Sequence, residues 1–182
     1  MLKVGISGKI ASGKSVVEKI IQENGFLVFD LDEISHELLE NNKIIQKQII
    51  DIFQTLNRKE IAKIIFENEN KKQKLEKIIH SKLKEIIFEL FEKYKNKKAI
   101  FISGALIFKS DFYKFFDKTI YIQASENIRL ERLMKRNKLS KNDALKILNL
   151  QDDSAFADII IENETDVQDL EIKVKKVLKE IF

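Results

Sequence analysis

Apolar positions along this chain follow two rhythms. Residues 2–7 form a short apolar run closed by a glycine-bearing turn, which predicts a strand. From 14 to 23 the spacing becomes helical, and Asn24-Gly25 ends that helix with glycine at the C′ position. Residues 26–30, Phe-Leu-Val-Phe-Asp, are apolar almost throughout, as expected of a buried parallel strand. From 31 to 98 the pattern is helical nearly everywhere, including an amphipathic run over 71–94. Apolar runs at 99–103, 119–122 and 158–162 predict three further strands. Between the last two lies a charged helical pair, 126–136 and 141–150, with Ser140 and Asp143 as the N-terminal cap of the second. Thr165 with Gln168 predicts a capping box for the closing helix.

Strands alternating with helices predict an α/β fold: a five-stranded, mostly parallel sheet with helices on both faces. The expected nucleotide-binding core comprises 1–30, 99–122 and 153–182. The helical stretch 31–98 and the pair within 123–152 lie outside the sheet, as subdomains over the carboxyl ends of the strands, where such folds bind ligands.

Composition narrows the chemistry. The 182 residues contain no cysteine, proline or tryptophan and only two histidines, His36 and His80. Disulfides, thiolate zinc sites, cysteine nucleophiles and imidazole-rich metal sites are thereby excluded. No apolar run approaches the ~20 residues that span a bilayer, so a soluble cytoplasmic protein without a membrane partner is expected. The net charge of +4 comes from Lys and Glu alternating along helices, which reads as solvated faces and not as a nucleic-acid surface. The pattern carries no oligomeric signature. Scarce residues cluster, however. Three of five glycines (Gly5, Gly8, Gly13) fall in the first thirteen positions, and three of four arginines are Arg129, Arg132 and Arg136.

Gly8-Lys9-Ile10-Ala11-Ser12-Gly13-Lys14-Ser15 fits the phosphate-loop pattern G-x-x-x-x-G-K-[ST], with a strand before it and a helix after it. In this P-loop context the backbone N–H groups from Gly8 to Val16 cradle a polyphosphate at a helix N-terminus. Lys14 reaches the β- and γ-phosphates and Ser15 ligates Mg²⁺, so the chain is expected to bind ATP with Mg²⁺.

Asp30 and Asp32 end the second strand. Phosphoryl transfer to an alcohol needs a carboxylate that orients and deprotonates the hydroxyl, although Asp32 is equally suited to capping the following helix. Arg129, Arg132 and Arg136 stand at i, i+3 and i+7, along one helical face. In a lid they would clamp a transferring phosphoryl group, Arg132 and Arg136 foremost; the alternative is a solvated face laced with Glu126 and Glu131. Arg58 suits a substrate phosphate or a surface ion pair, His36 an acceptor site or a structural place, and His80 packing or capping. The phenylalanines at 88, 91, 108, 112, 115 and 116 read as core.

Taken in order, these pieces resemble the dephospho-coenzyme A kinase family through nearly the whole chain. The phosphate loop, Asp30-Leu-Asp32-Glu-Ile-Ser-His36, Leu56-Asn-Arg58, Ile79-His80, Leu106-Ile-Phe108, Arg129 through Arg136, Gln151 and Ala157-Asp158-Ile-Ile-Ile-Glu-Asn163 carry the likeness. The resemblance implies a P-loop kinase with ATP on the core, dephospho-CoA on 31–98 and a lid at 123–152. It implies Asp32 as the base for the ribose 3′-hydroxyl, Asn163 near the adenine, and Asp30, His36, Arg58 and His80 on the acceptor side. Lys9 and Ala11 replace two glycines of the family's loop, Ser103 stands where an acid is usual, and the segment from Gln151 to Asp158 is short. A nucleotide-binding protein without catalysis and an adenylate-kinase-type enzyme are the rival expectations.

Overall fold

The computed structural model describes residues 1–148 and 156–182. The expected helix end at 149–150, Gln151 and the shortened segment up to 155 lie outside the described residues. The chain forms two compact units, Met1–Phe29 with Tyr94–Phe182, and Asp30–Lys93.

The first unit is built on a five-stranded, all-parallel sheet in the order β2-β3-β1-β4-β5. Its strands are β1 (Leu2–Gly8), β2 (Leu27–Asp30), β3 (Ala99–Ser103), β4 (Lys118–Gln123) and β5 (Ile159–Glu162). Leu2 pairs with Ala99, Val4 with Lys118, and Ile120 with Ile159. β1 is thus central, and the loop at its carboxyl end emerges where the strand order changes direction, the usual ligand position in such sheets.

One face of the sheet is covered by α1 (Lys14–Glu23) and α9 (Val167–Ile181). Val4, Ile6, Ile120, Ile122 and Ile161 interlock there with Val17, Ile21, Leu170 and Val174. Alternation along the strands sends these residues to one side, and each buried aliphatic side chain contributes about 1.5–3 kcal/mol. α1 ends in a Schellman pattern, with Gly25 N–H donating to the Gln22 carbonyl and Phe26 N–H to that of Ile21. Three turns of the first unit escaped the sequence pattern or shifted. A single helical turn α6 (Leu106–Lys109) and a 3₁₀ turn at Phe112–Phe115 follow β3. α9 begins one residue later than expected. Its cap is Asp166, which accepts from Asp169 N–H, in place of the Thr165–Gln168 capping box. Thr165 bonds the Asp169 carboxylate instead.

β2 corrects the expectation of a buried strand. It lies at the sheet edge and every residue in it is half-buried. Apolar residues are still required because Phe26, just before it, stacks on Phe182 at 4.8 Å and meets Phe101 edge-on at 5.5 Å.

α7 (Glu126–Asn137) and α8 (Lys141–Leu148) follow β4 and belong to the first unit. Ser140 Oγ accepts from Asp143 N–H at 3.2 Å and bonds its carboxylate at 2.6 Å, the expected cap. Leu130, Leu133, Ala144 and Leu148 form a small core of their own, against which Ile10 and Ala11 pack.

The second unit is wholly helical: α2 (Leu31–Asn41), α3 (Lys43–Phe53), α4 (Arg58–Glu67) and α5 (Glu69–Lys93). Asn42 and Asn57 cap α3 and α4 by accepting two backbone N–H groups each. Ile45, Ile49 and Phe53 pack with Ile61, Leu75 and Ile78.

At the start of β5, Asp158 accepts from Thr119 N–H and Thr119 Oγ1, both at 2.8 Å. The Thr119 hydroxyl, ahead of the other contributions, holds the Asp158 carboxyl below its usual value. A lowered folded-state pKa stabilises above the unfolded value and loses that contribution as pH falls through the folded one. Asp158→Asn is therefore expected to lower the urea midpoint at neutral pH. The difference from wild type should close below about pH 4, and a constant gap down to acid pH would refute the linkage.

Candidate active site

Five residues, 9–13, carry the chain from β1 into α1, and the geometry of the turn and its flanks follows from what each position can tolerate. A Cβ on Gly8 would stand 2.7 Å from Ser12 Oγ and 2.8 Å from the Ile122 carbonyl, so no larger residue fits. Gly13 sits at φ +99° as the N-cap of α1, and a Cβ there would collide with the Asn163 amide. Ala11 is left-handed too, at φ +62°. For an L-residue that conformation costs roughly 1–2 kcal/mol, and it explains why a glycine is usual at this place.

Ser12 is fully buried. Its N–H closes the turn onto the Lys9 carbonyl at 3.0 Å, and its own carbonyl accepts from Asn163 Nδ2 at 2.7 Å and Arg132 Nη1 at 3.4 Å. Arg132 Nη2 in turn donates to Asn163 Oδ1 at 3.3 Å. Asn163 is itself fixed by its N–H to the Gln123 carbonyl at 2.8 Å, so the tip of β5 is registered against β4.

Lys14 opens α1. Its Nζ donates to Ser103 Oγ at 3.3 Å and stands 3.1 Å from Glu18 Oε1. Ser103, buried at the end of β3, thus lies beside the loop lysine. Glu18 was not singled out by the sequence reading, although i,i+4 spacing to Lys14 signals the pair. Ser15 is exposed in the first turn of α1, and Val16 N–H and Val17 N–H both donate to the Gly13 carbonyl.

The three arginines of α7 occupy three environments. Arg132 touches the loop. Arg136 is exposed and bonds Asn137 Oδ1 at 2.8 Å. Arg129 is buried at the root of the helix.

In the second unit, Asp30 settles the question of the cap. Its Oδ1 accepts from Asp32 N–H at 2.7 Å, so Asp30 caps α2, and Asp32 is an exposed residue of the first turn. His36 and Arg58 are brought together. Arg58 Nη1 lies 2.7 Å from His36 Nδ1, and His36 Nε2 lies 3.1 Å from Glu40 Oε1. Arg58 Nη1 also lies 3.2 Å from His36 Nε2, so the imidazole stands between a guanidinium and a carboxylate. Glu40, also 4.0 Å from Arg58 Nη2, was not singled out beforehand; it lies one turn after His36. His80 lies within α5, half-buried, and burial pushes its imidazole down against the opposing charge of Glu76.

Similarity to known proteins matches this geometry. The family model for dephospho-CoA kinase matches residues 2–169. The chain belongs to the dephospho-CoA kinase family. A dephospho-CoA kinase of Fusobacterium nucleatum is 36% identical over 95% of each chain. Among solved structures, a Thermus thermophilus protein shares a TM-score of 0.85 at 25% identity, covering 100% of this chain and 98% of its own. A dephospho-CoA kinase from Campylobacter jejuni shares 0.69 at 28%, covering 98% and 96%. In this family setting Ala11 is a strained substitute for glycine. Ala11→Gly is expected to raise unfolding stability by about 0.5–1 kcal/mol, the relieved strain being partly offset by a looser unfolded chain. A urea titration that shows no gain would mean that the methyl's packing against the α7–α8 core outweighs the strain.

Proposed function

We propose that this chain transfers the γ-phosphoryl group of ATP to the ribose 3′-hydroxyl of dephospho-CoA, yielding coenzyme A and ADP. The carrying observation is a complete phosphate loop, braced by Asn163 and Arg132, in a chain whose family match runs through residues 2–169. The reading is of a cytoplasmic enzyme; among the described residues no helix is long and apolar enough to cross a membrane.

Loop N–H groups and Lys14 bind the polyphosphate, and Asn163 lies on the adenine side. Ser15 is the residue that would hold Mg²⁺, and the ion, when bound, neutralises charge on the β- and γ-phosphates. An exposed hydroxyl fits, because Mg²⁺ keeps several waters and takes few protein ligands.

Asp32 takes the proton of the 3′-hydroxyl as its oxygen bonds to the γ-phosphorus, and the bridging oxygen departs with ADP. Asp32 is assigned the base role by the resemblance to the family, while Asp30 caps α2. Arg132 and Arg136 stabilise charge on the transferring group from α7. Helices 31–98 hold the acceptor, with Arg58, oriented by His36, paired with its phosphates and His80 alongside, while α7 and α8 serve as the lid.

Two substitutions test the roles. Lys14→Ala is expected to lower kcat/KM by roughly 10²–10⁴-fold in a coupled ADP-release assay with dephospho-CoA. Asp32→Asn should lower kcat by about 10²–10⁴-fold with KM for ATP nearly unchanged. A folded Asp32→Asn enzyme with near-normal turnover removes Asp32 from the base role. ATP binding without transfer to dephospho-CoA, AMP or shikimate would favour the non-catalytic reading, to which the strain at Ala11 lends weight.

A further inference from the structure

Arg129 is the arginine of α7 that the phosphate loop does not explain. It is 5% exposed, and its Nε and Nη1 are buried without a hydrogen-bond partner among the described residues. An unpaired guanidinium stripped of water is costly, and arginine cannot escape the cost by losing its proton. Its charge is felt locally, where it opposes the upward push that burial gives the Tyr121 phenol.

The side chain lines a cavity of about 360 Å³ together with Lys9, Tyr121, Gln123, Glu126 and Ile160. Of the phosphate loop only Lys9 is among the lining residues, and Gly13, Lys14, Ser15, Arg132 and Asn163 are not, so the cavity borders the phosphate cradle without including its lysine or the helix N-terminus. Its charged lining is two cations, from the loop and from the root of α7, against one carboxylate. Water would satisfy the N–H groups but leave the charge uncompensated. An oxyanion supplies both several acceptors and the opposite charge, and the phenol and amide offer further donors.

We propose that this cavity binds a phosphate-type oxyanion, free or as the head of a small ester, with Arg129 and Lys9 as its charge partners. Because Lys9 belongs to the loop and Arg129 to α7, the bound anion ties the loop to the base of the helical pair. The proposal is independent of which acceptor the enzyme phosphorylates.

Thermal unfolding of the whole chain is followed against inorganic phosphate and against glycerol phosphate, at constant ionic strength, in wild type and variants. Lys14→Ala weakens phosphate binding in the loop itself. In that background phosphate at ten times its Kd is expected to raise Tm by about 3–5 °C. Adding Arg129→Gln should abolish the shift, Arg129→Lys should keep a weakened one, and Lys9→Gln should weaken apparent affinity about tenfold. A response that disappears with Lys14→Ala, or survives Arg129→Gln, assigns the binding elsewhere and overturns the proposal. Should Arg129→Gln not fold, equilibrium dialysis of phosphate with Lys14→Ala and with Lys14→Ala/Lys9→Gln decides. Equal affinities overturn the proposal, and a tenfold loss supports it. Both ester and free phosphate binding support the site; comparable affinities identify the monoester head group as sufficient, and binding of phosphate alone identifies the free ion.

Discussion

A loop that binds anions through its backbone must turn its N–H groups outward, and the carbonyls left facing inward then need donors of their own. The Ser12 carbonyl is that demand in this protein, and Asn163 Nδ2 and Arg132 Nη1 meet it. Much else follows from those two hydrogen bonds. Gly13 must lack a side chain because the Asn163 amide occupies the space. Asn163 must leave β5 in register with Gln123 of β4. α7 must begin close enough to β4 for Arg132, two turns along, to reach the loop. A buried carbonyl without these donors would cost about 1–3 kcal/mol, and the loop would lose its shape before it lost its sequence.

The same loop carries an opposing pair of effects at Ala11. Its left-handed backbone is unfavourable for any residue with a Cβ, yet its methyl packs against the core of α7 and α8 beside Ile10. Loop and helical pair are therefore joined by apolar contact as well as by Arg132. The pair is tied to the phosphate cradle through named contacts: Ile10, Ala11 and the Ser12 carbonyl.

Charge is partitioned finely along one helix. Arg136 stays in water at a small cost, Arg132 exchanges hydration for two bonds at the loop, and Arg129 is buried with its Nε and Nη1 lacking a hydrogen-bond partner among the described residues. Equal spacing in sequence does not produce equal environments, because the root of α7 lies against the sheet while its far end projects into solvent. In the second unit, His36, Glu40 and Arg58 are half exposed, where ion pairs add little stability. Their arrangement sets the aim of Arg58.

The order of strands and helices, the phosphate loop and the family likeness were legible in the chain itself. They rest on local rules: apolar period, glycine at tight turns, caps within three residues. Ser140 with Asp143 and Gly25 behaved as those rules require. The cap of α9 moved to Asp166, and Asp30 took the cap that Asp32 was equally suited to, since adjacent polar residues compete for one turn and the chain's path chooses. Position in the sheet was hidden as well. β2 has the composition of a buried strand and lies at an edge, where its neighbour Phe26 meets Phe182, far away in sequence. Sequence alone determined the phosphate-loop pattern from Gly8 to Ser15. Only the tertiary structure decided that Ser103 meets Lys14, that Asn163 braces Ser12, and that Arg129 is buried beside Tyr121. Those contacts join residues 89, 151 and eight positions apart, and no local period reports on pairings set by strand order and helix packing.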